Sequence, residues 1–210
     1  MPLLNSSVFI NCPFDEDYRT CFEAVLFTVH MAPFTPRCAL EENDAGDIRF
    51  DKLCRLIAES DQSVHDLSRT ESGAAGLPRF NMPFELGLMM GARRFGGRRQ
   101  QAKRACIMVA SNYVMPAYLS DLAGNDPLAH GRDPRVVVRI VRDALHHDPT
   151  GVVLPGATHF SELLDVFRTV LPELAATARL TLDEAHPHRG YRNFIGLLRT
   201  FRELVDDIAT

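Results

Sequence analysis

Short apolar runs alternate with longer amphipathic segments over the first 110 residues of the chain. Four runs have the length and the residue types of strands, at residues 7–11, 35–41, 62–68 and 104–110. Between them, apolar residues recur at helical spacing in segments 18–31 and 50–60, and Pro83 predicts the start of a third helix. Strands that alternate with helices of this length predict an α/β fold with a parallel sheet covered on both faces.

The second half of the chain has a different pattern. Residues 111–134 show no clear periodicity and predict a long loop. Three amphipathic helices are predicted after it, at 136–147, 161–176 and 193–208. We therefore expect an α/β domain over residues 1–147 and a C-terminal helical extension, residues 148–210, packed on it.

Composition and charge narrow the class of protein. The chain is 46% apolar and 24% charged, which is typical of a globular protein, and its net charge is −4. This charge gives no global attraction to nucleic acid or to an anionic membrane, so neither is an expected partner. The sequence has no signal-peptide pattern and no apolar stretch of about 18 residues, which predicts a cytoplasmic protein. Its five cysteines include no CxxC pair, and we expect reduced core residues.

The candidate binding residues are those at and after the ends of the predicted strands, because open parallel sheets bind ligands beyond the carboxyl ends of their strands. These residues are Asn11, Pro13 and Phe14 after the first strand, His65, Asp66 and Ser68 in the third strand, and Asn81 and Glu85 at the next helix. The sequence contains no glycine-rich phosphate loop, no nucleophile elbow and no zinc-ligand spacing. We therefore expect chemistry carried by side chains, with no metal and no required cofactor.

Glu85 is the one carboxylate in the otherwise apolar segment FNMPFELGLMMGA, residues 80–92. With Pro83 as the first helical residue, Glu85 lies in the first turn, where the helix dipole favours an ionised carboxylate by about 0.3–1 kcal/mol. Such a carboxylate suits attack on, or stabilisation of, a cationic sugar carbon, as in the loss of a base from a ribosyl group. Position alone favours the other interpretation, a glutamate that caps its helix.

The neighbouring candidates also have two interpretations. Asn81 and Asp66 can hold ribose hydroxyls, or they can cap a helix and form a turn. His65 can act as an acid or base, or bond to backbone inside the fold. The segment 92–105 carries six cations and predicts a basic loop, in which Arg93 and Arg94 can meet phosphate groups or remain solvated.

Three segments resemble the superfamily that joins TIR domains and nucleoside 2-deoxyribosyltransferases: VFINCPFD, HDLS and NMPFELGLMMGA. In the deoxyribosyltransferases a helix of the form FExGxAxAxGKP carries the nucleophilic glutamate. Phe84, Glu85, Gly87 and Gly91 match that helix, and Asn11, Pro13 and Phe14 match the turn after the first strand. Asn81 stands where a deoxyribosyltransferase commonly has Asp, and the Trp-Cys of the TIR motif WCxxE is missing. The resemblance covers roughly residues 7–110.

The resemblance implies a flavodoxin-like three-layer fold with a four- to five-stranded parallel sheet, and Glu85 as the catalytic carboxylate. It also implies cleavage of the N-glycosidic bond of NAD or a related nucleotide, which TIR-type relatives often use in bacterial defence. On this hypothesis Asn81 and Asp66 bind the ribose, Phe14 stacks on a base, the ligand is a small nucleotide, and the protein is a homo-oligomer. Two alternatives stay open: base exchange on a nucleoside or nucleotide, and a non-catalytic nucleotide-sensing or assembly module.

Overall fold

The computed structural model contains a five-stranded parallel sheet. The structure describes residues 6–42, 44–68, 79–111, 117–122, 124–146 and 153–208. The strands are Ser7–Asn11 (β1), Thr35–Arg37 (β2), Gln62–Asp66 (β3), Arg104–Val109 (β4) and Leu128–Ala129 (β5). Their order is β2-β1-β3-β4-β5, which is the flavodoxin-like order. The predicted α/β fold with a parallel sheet is confirmed.

Two predicted strands end earlier than expected, and local hydrogen bonds explain both ends. The β2 strand stops at Arg37 because the chain turns there, with the Glu41 N–H donating to the Cys38 carbonyl. The β3 strand stops at Asp66, whose carboxylate accepts a hydrogen bond from the Ser68 backbone N–H at 2.8 Å. Such a bond from a backbone N–H to the side chain two residues earlier is typical of a turn.

The fifth strand lies in the segment that the sequence predicted as a long loop. β5 contains two residues, which is too short to give a periodicity signal. It pairs with the end of β4, where Met108 faces Leu128 and Val109 faces Ala129. Residues 117–122 of the same segment form a 3-10 turn. The segment between β3 and the third predicted helix lies largely outside the described residues.

Seven α-helices lie in the described part of the chain. They are Arg19–Met31 (α1), Arg49–Glu59 (α2), Asn81–Phe95 (α3), Arg98–Gln101 (α4), Pro134–His146 (α5), Ala157–Thr177 (α6) and Tyr191–Ile208 (α7). None of these helices is long and apolar enough to cross a membrane. All five cysteines lie in the described part of the chain and form no disulfide there, and four of them are buried, as expected for core residues.

The helix α3 begins two residues before the predicted start. Asn81 is its first residue, so Pro83 occupies the third helical position. The first backbone hydrogen bond of the helix runs from the Phe84 N–H to the Phe80 carbonyl at 3.0 Å. Because the N–H groups before Phe84 have no partner within a helix, a proline at position 83 removes no helical bond.

The chain divides into two compact units, which we describe separately. The first contains residues 1–13 and 35–132, and therefore the whole sheet with α2, α3 and α4. Its apolar cluster joins α3 to the strands and contains Leu67, Met82, Leu86, Ile107 and Val109. The second unit contains residues 14–34 and 133–210, and therefore α1, α5, α6 and α7. The predicted packing of residues 148–210 on residues 1–147 stays a prediction.

The second unit is held by a group of aromatic rings from three helices. Phe27 of α1 packs against Phe167 of α6 and Phe201 of α7, with ring centroids 5.7 Å and 6.2 Å apart. Phe167 also meets Phe194 edge-on at 5.6 Å. Buried aromatic pairs in such tilted and edge-to-face geometries stabilise a core beyond the area they bury, by about 0.5–1.5 kcal/mol each.

Candidate functional site

Glu85 lies in the buried stripe of α3. The buried residues of this helix are Met82, Glu85, Leu86 and Met89, which follow the i, i+3, i+4, i+7 spacing of a core-facing helix. The carboxylate therefore occupies a position at which an apolar side chain is the rule. Glu85 is the fifth residue of α3, so the prediction that it lies in the first turn is wrong. The reason is that the helix starts at Asn81.

Burial, and not the helix dipole, dominates the ionisation of Glu85. The residue is 4% exposed, and desolvation by burial raises its pKa to about 7. The positive charge of Arg49 opposes this shift, with Nη2 4.0 Å from Glu85 Oε1. Glu85 therefore titrates near neutral pH, although the helix start predicted from the sequence favoured the ionised form.

The carboxylate of Glu85 accepts no hydrogen bond from the described residues, and its only ion pair among them is the long contact with Arg49. A capping-box glutamate reaches the N-cap N–H from the third helical position, and Glu85 is the fifth residue of α3, so capping does not describe its place in the helix. A carboxylate whose pKa is shifted by desolvation is a candidate functional group.

Asn11 fixes the start of α3 to the ends of two strands. It is the last residue of β1 and lies opposite His65 of β3 in the parallel register. Its Nδ2 donates to the Met82 carbonyl at 2.8 Å and to His65 Nδ1 at 3.0 Å. The first turn of α3, and with it Asn81, is thus held at the carboxyl ends of the strands, and the Glu85 position follows one turn later.

His65 is neutral and completely buried. Burial lowers its pKa to about 3. Because Nδ1 accepts the bond from Asn11, the ring proton sits on Nε2, and no described residue accepts it. The interpretation of His65 as an acid or base at neutral pH therefore has no support from its pKa. Its bond to Asn11 gives it a positioning role.

Asp66 and Ser68 belong to a second buried polar group, with His130. Asp66 Oδ1 accepts from the Ser68 N–H, and Oδ2 lies 2.9 Å from His130 Nε2. Ser68 Oγ lies 3.0 Å from the same Nε2, while His130 Nδ1 accepts from the Arg132 N–H. A catalytic triad places its serine and its carboxylate on opposite ring nitrogens, and here both meet one nitrogen. This group fixes the ends of β3 and β5, and it excludes Ser68 as a triad nucleophile.

The remaining predicted residues lie in different environments. Asn81 is exposed at the first position of α3, and Pro13 is buried after β1. Phe14 belongs to the second unit, where its ring packs on Phe22 with centroids 5.0 Å apart. The structure thus gives Phe14 a partner in the core of that unit.

The predicted basic loop is mostly helical. Arg93 and Arg94 form the last turn of α3, roughly 12 Å along the helix from Glu85 at about 1.5 Å per residue. They are therefore not brought to the carboxylate.

Other residues of the same segment have a structural role. Lys103 donates to the carbonyls of Ile57, Ala58 and Ser60, and Arg99 donates to the Glu59 carbonyl at 2.8 Å. These cations satisfy the carbonyl groups at the end of α2, where a positive charge is favoured. Part of the positive charge that the sequence suggested as a phosphate-binding loop therefore caps the end of α2.

Sequence reasoning missed two residues next to Glu85. Arg49 and Phe50 are the first residues of α2, and they contact Glu85 and Phe84 of α3. The sequence shows them only as the start of an amphipathic helix, and no local signal places them beside residues 84 and 85. His130 was also missed, because β5, which it follows, was predicted as loop.

No group of three or more histidine, cysteine, aspartate or glutamate side chains able to hold a metal ion occurs in the described ranges.

Comparisons of the chain with family models, with curated proteins and with solved structures give no match. The class that the fold and the site define is therefore limited to a flavodoxin-like α/β protein with a buried glutamate beside the carboxyl ends of its parallel strands.

Proposed function

We propose that this protein cleaves the N-glycosidic bond of NAD or a related nucleotide, and that Glu85 is its catalytic carboxylate. One observation carries the proposal: Glu85 is buried in an apolar helix face with no hydrogen bond from the described residues. Leaving a carboxylate in this state costs stability, which a functional role accounts for and a structural role does not. The match of Phe84, Glu85, Gly87 and Gly91 to a nucleophile helix supports the same conclusion.

The ionised form of Glu85 would act at the anomeric carbon. Cleavage breaks the bond between this carbon and the ring nitrogen of the base, and the electron pair leaves with the base. The sugar carbon becomes electron-poor in the transition state, and a carboxylate stabilises it or bonds to it. Water then supplies the new hydroxyl group, so that NAD and water give ADP-ribose, nicotinamide and a proton.

A pKa near 7 suits a carboxylate that must be ionised at neutral pH and must also attract a cationic sugar carbon. The ionised fraction is available at neutral pH, while the dry surroundings strengthen its attraction for the cationic sugar. Asn81, exposed in the first turn of the same helix, has an amide suited to the ribose hydroxyls. Asp66 is less suited to that role, because both of its carboxylate oxygens already have partners inside the fold.

The experiment compares two reactions of the purified protein, each followed by chromatography. Release of nicotinamide from NAD supports the proposal, and transfer between a deoxynucleoside and a free base assigns base exchange instead. If neither reaction occurs while calorimetry shows nucleotide binding, the protein is a sensing or assembly module and the enzymatic proposal is wrong.

A further inference from the structure

Several large apolar side chains of the first unit are exposed close to the start of α2 and α3. They are Ile48, Phe50, Phe80 and Phe84. Phe50 is 48% exposed and Phe84 is 54% exposed, although each aromatic ring would gain stability from complete burial. Single exposed apolar residues are ordinary, but a group of them marks a surface that binds something.

Two side-chain contacts join the first turn of α2 to α3. Arg49 meets Glu85 at 4.0 Å, and the ring of Phe50 lies 6.2 Å from the ring of Phe84 with an interplanar angle of 41°. The two residues of each helix are consecutive, so the aromatic pair and the charged pair lie next to each other. The exposed rings are therefore adjacent to the buried carboxylate.

The charge at this surface indicates the kind of ligand. The Arg49 side chain is 63% exposed, and at 4.0 Å from Glu85 it makes no hydrogen bond to that carboxylate. Its guanidinium donors can thus meet an anion from solvent, and arginine is well suited to phosphate because it offers paired donors. Aromatic rings bind the flat faces of nucleobases by stacking. A planar base linked to a phosphate has both features.

We propose that Phe50 and Phe84 receive the base of a phosphorylated nucleoside and that Arg49 binds its phosphate. The inference rests on the proposed function, since it places the ligand beside Glu85, and it assigns the base-stacking role to this pair instead of to Phe14. Because Arg49 binds the phosphate, tight binding requires a phosphate group. A nucleotide is therefore the expected ligand, and a nucleoside should bind weakly.

The chain has no tryptophan, which allows a direct binding test. Phe84→Trp combined with Glu85→Gln introduces a single indole at the proposed surface while removing the catalytic carboxylate. The expected result is a saturable change in its fluorescence on titration with NAD or AMP, and at least tenfold weaker binding of adenosine. Adding Arg49→Met should weaken AMP about tenfold and leave adenosine unchanged.

The matched control is Phe95→Trp in the same Glu85→Gln background. Phe95 is 87% exposed and is the last residue of the same helix, far from Glu85. Its indole should show no saturable change with either nucleotide. Phe50→Trp is a second reporter, read in the same way if Phe84→Trp does not fold.

The outcomes separate this inference from the proposed function. A saturable response at position 84 or 50, weakened by Arg49→Met, supports the surface even if the wild-type protein releases no nicotinamide. If the wild type releases nicotinamide and neither Phe50→Ala nor Phe84→Ala changes KM, the surface is wrong and the proposed function stands. Equal responses at positions 84 and 95, or equal affinity for AMP and adenosine, also overturn it.

Discussion

Replacing Glu85 by glutamine should stabilise the protein at alkaline pH and have little effect at acidic pH. Burial disfavours the charged form and raises the pKa of Glu85 in the folded protein to about 7, from its ordinary value of 4.5. Between these two values the folded state binds more protons than the unfolded state. The free energy of unfolding therefore falls as pH rises through this window.

The size of the effect follows from the shift. A rise of the pKa from 4.5 to about 7 corresponds to about 3 kcal/mol, at about 1.4 kcal/mol for each tenfold change in proton affinity. Wild-type Glu85 imposes this cost in full above about pH 8 and imposes none below about pH 4. Glutamine has the same shape and does not titrate, so Glu85→Gln should exceed the wild type in stability by up to about 3 kcal/mol at alkaline pH.

Urea unfolding followed by circular dichroism measures this difference at a series of pH values. All other ionisable groups are the same in both proteins, so their contribution cancels from the comparison. Glu162→Gln, at an exposed position of α6, is the control, and its difference from the wild type should not depend on pH. A Glu85→Gln difference that is also constant from about pH 5 to about pH 8 would refute the account of Glu85 as a desolvated carboxylate.

Three further predictions use other parts of the structure. Lys103→Met should destabilise the protein by about 1–3 kcal/mol, because the end of α2 loses a buried donor, whereas the exposed Arg94→Met should change unfolding by under about 0.5 kcal/mol. Asn11→Ala should cost about 2–4 kcal/mol in the same assay and should lower nicotinamide release, because it frees the start of α3. Cys54, the one partly exposed thiol, should react first with a thiol reagent in the folded protein, and Cys106 should not react until the protein unfolds, because burial raises its pKa to about 12.

Each of these predictions has an outcome that contradicts it. Equal losses of stability for Lys103→Met and Arg94→Met would mean that the α2 cap contributes nothing. Full activity of a folded Asn11→Ala variant would show that the bonds from Asn11 to the start of α3 and to β3 are not needed by the site. Labelling of Cys106 at the rate of Cys54 would show that the sheet around it opens readily.

The sequence predicted the α/β fold because its signals are local. Strands β1 and β4 are apolar runs that stand out from helices of period 3.6, and the bounds of β1, β3 and β4 differ from the prediction by two residues at most. The β5 strand has only two residues and pairs through a neighbour that is distant in sequence, so its pattern carried no such signal.

The candidate site could be predicted only in part. Glu85 stood out because a carboxylate interrupts an apolar segment, and its burial follows from that segment being the core face of α3. Its pKa depended on desolvation, which the sequence does not show. Arg49, Phe50 and His130 come to their partners through tertiary packing, and nothing in their local sequence predicts those contacts.

The most direct test of the central claim is the rate of nicotinamide release from NAD by wild type and by Glu85→Gln, with Glu162→Gln as the control. The account predicts that the wild type and the control release nicotinamide at the same rate and that Glu85→Gln loses at least about a hundredfold, while circular dichroism shows all three folded. It also predicts that the wild-type rate rises through about pH 7, as Glu85 ionises. Nicotinamide release by a folded Glu85→Gln protein at the wild-type rate would contradict the assignment of Glu85 as the catalytic carboxylate.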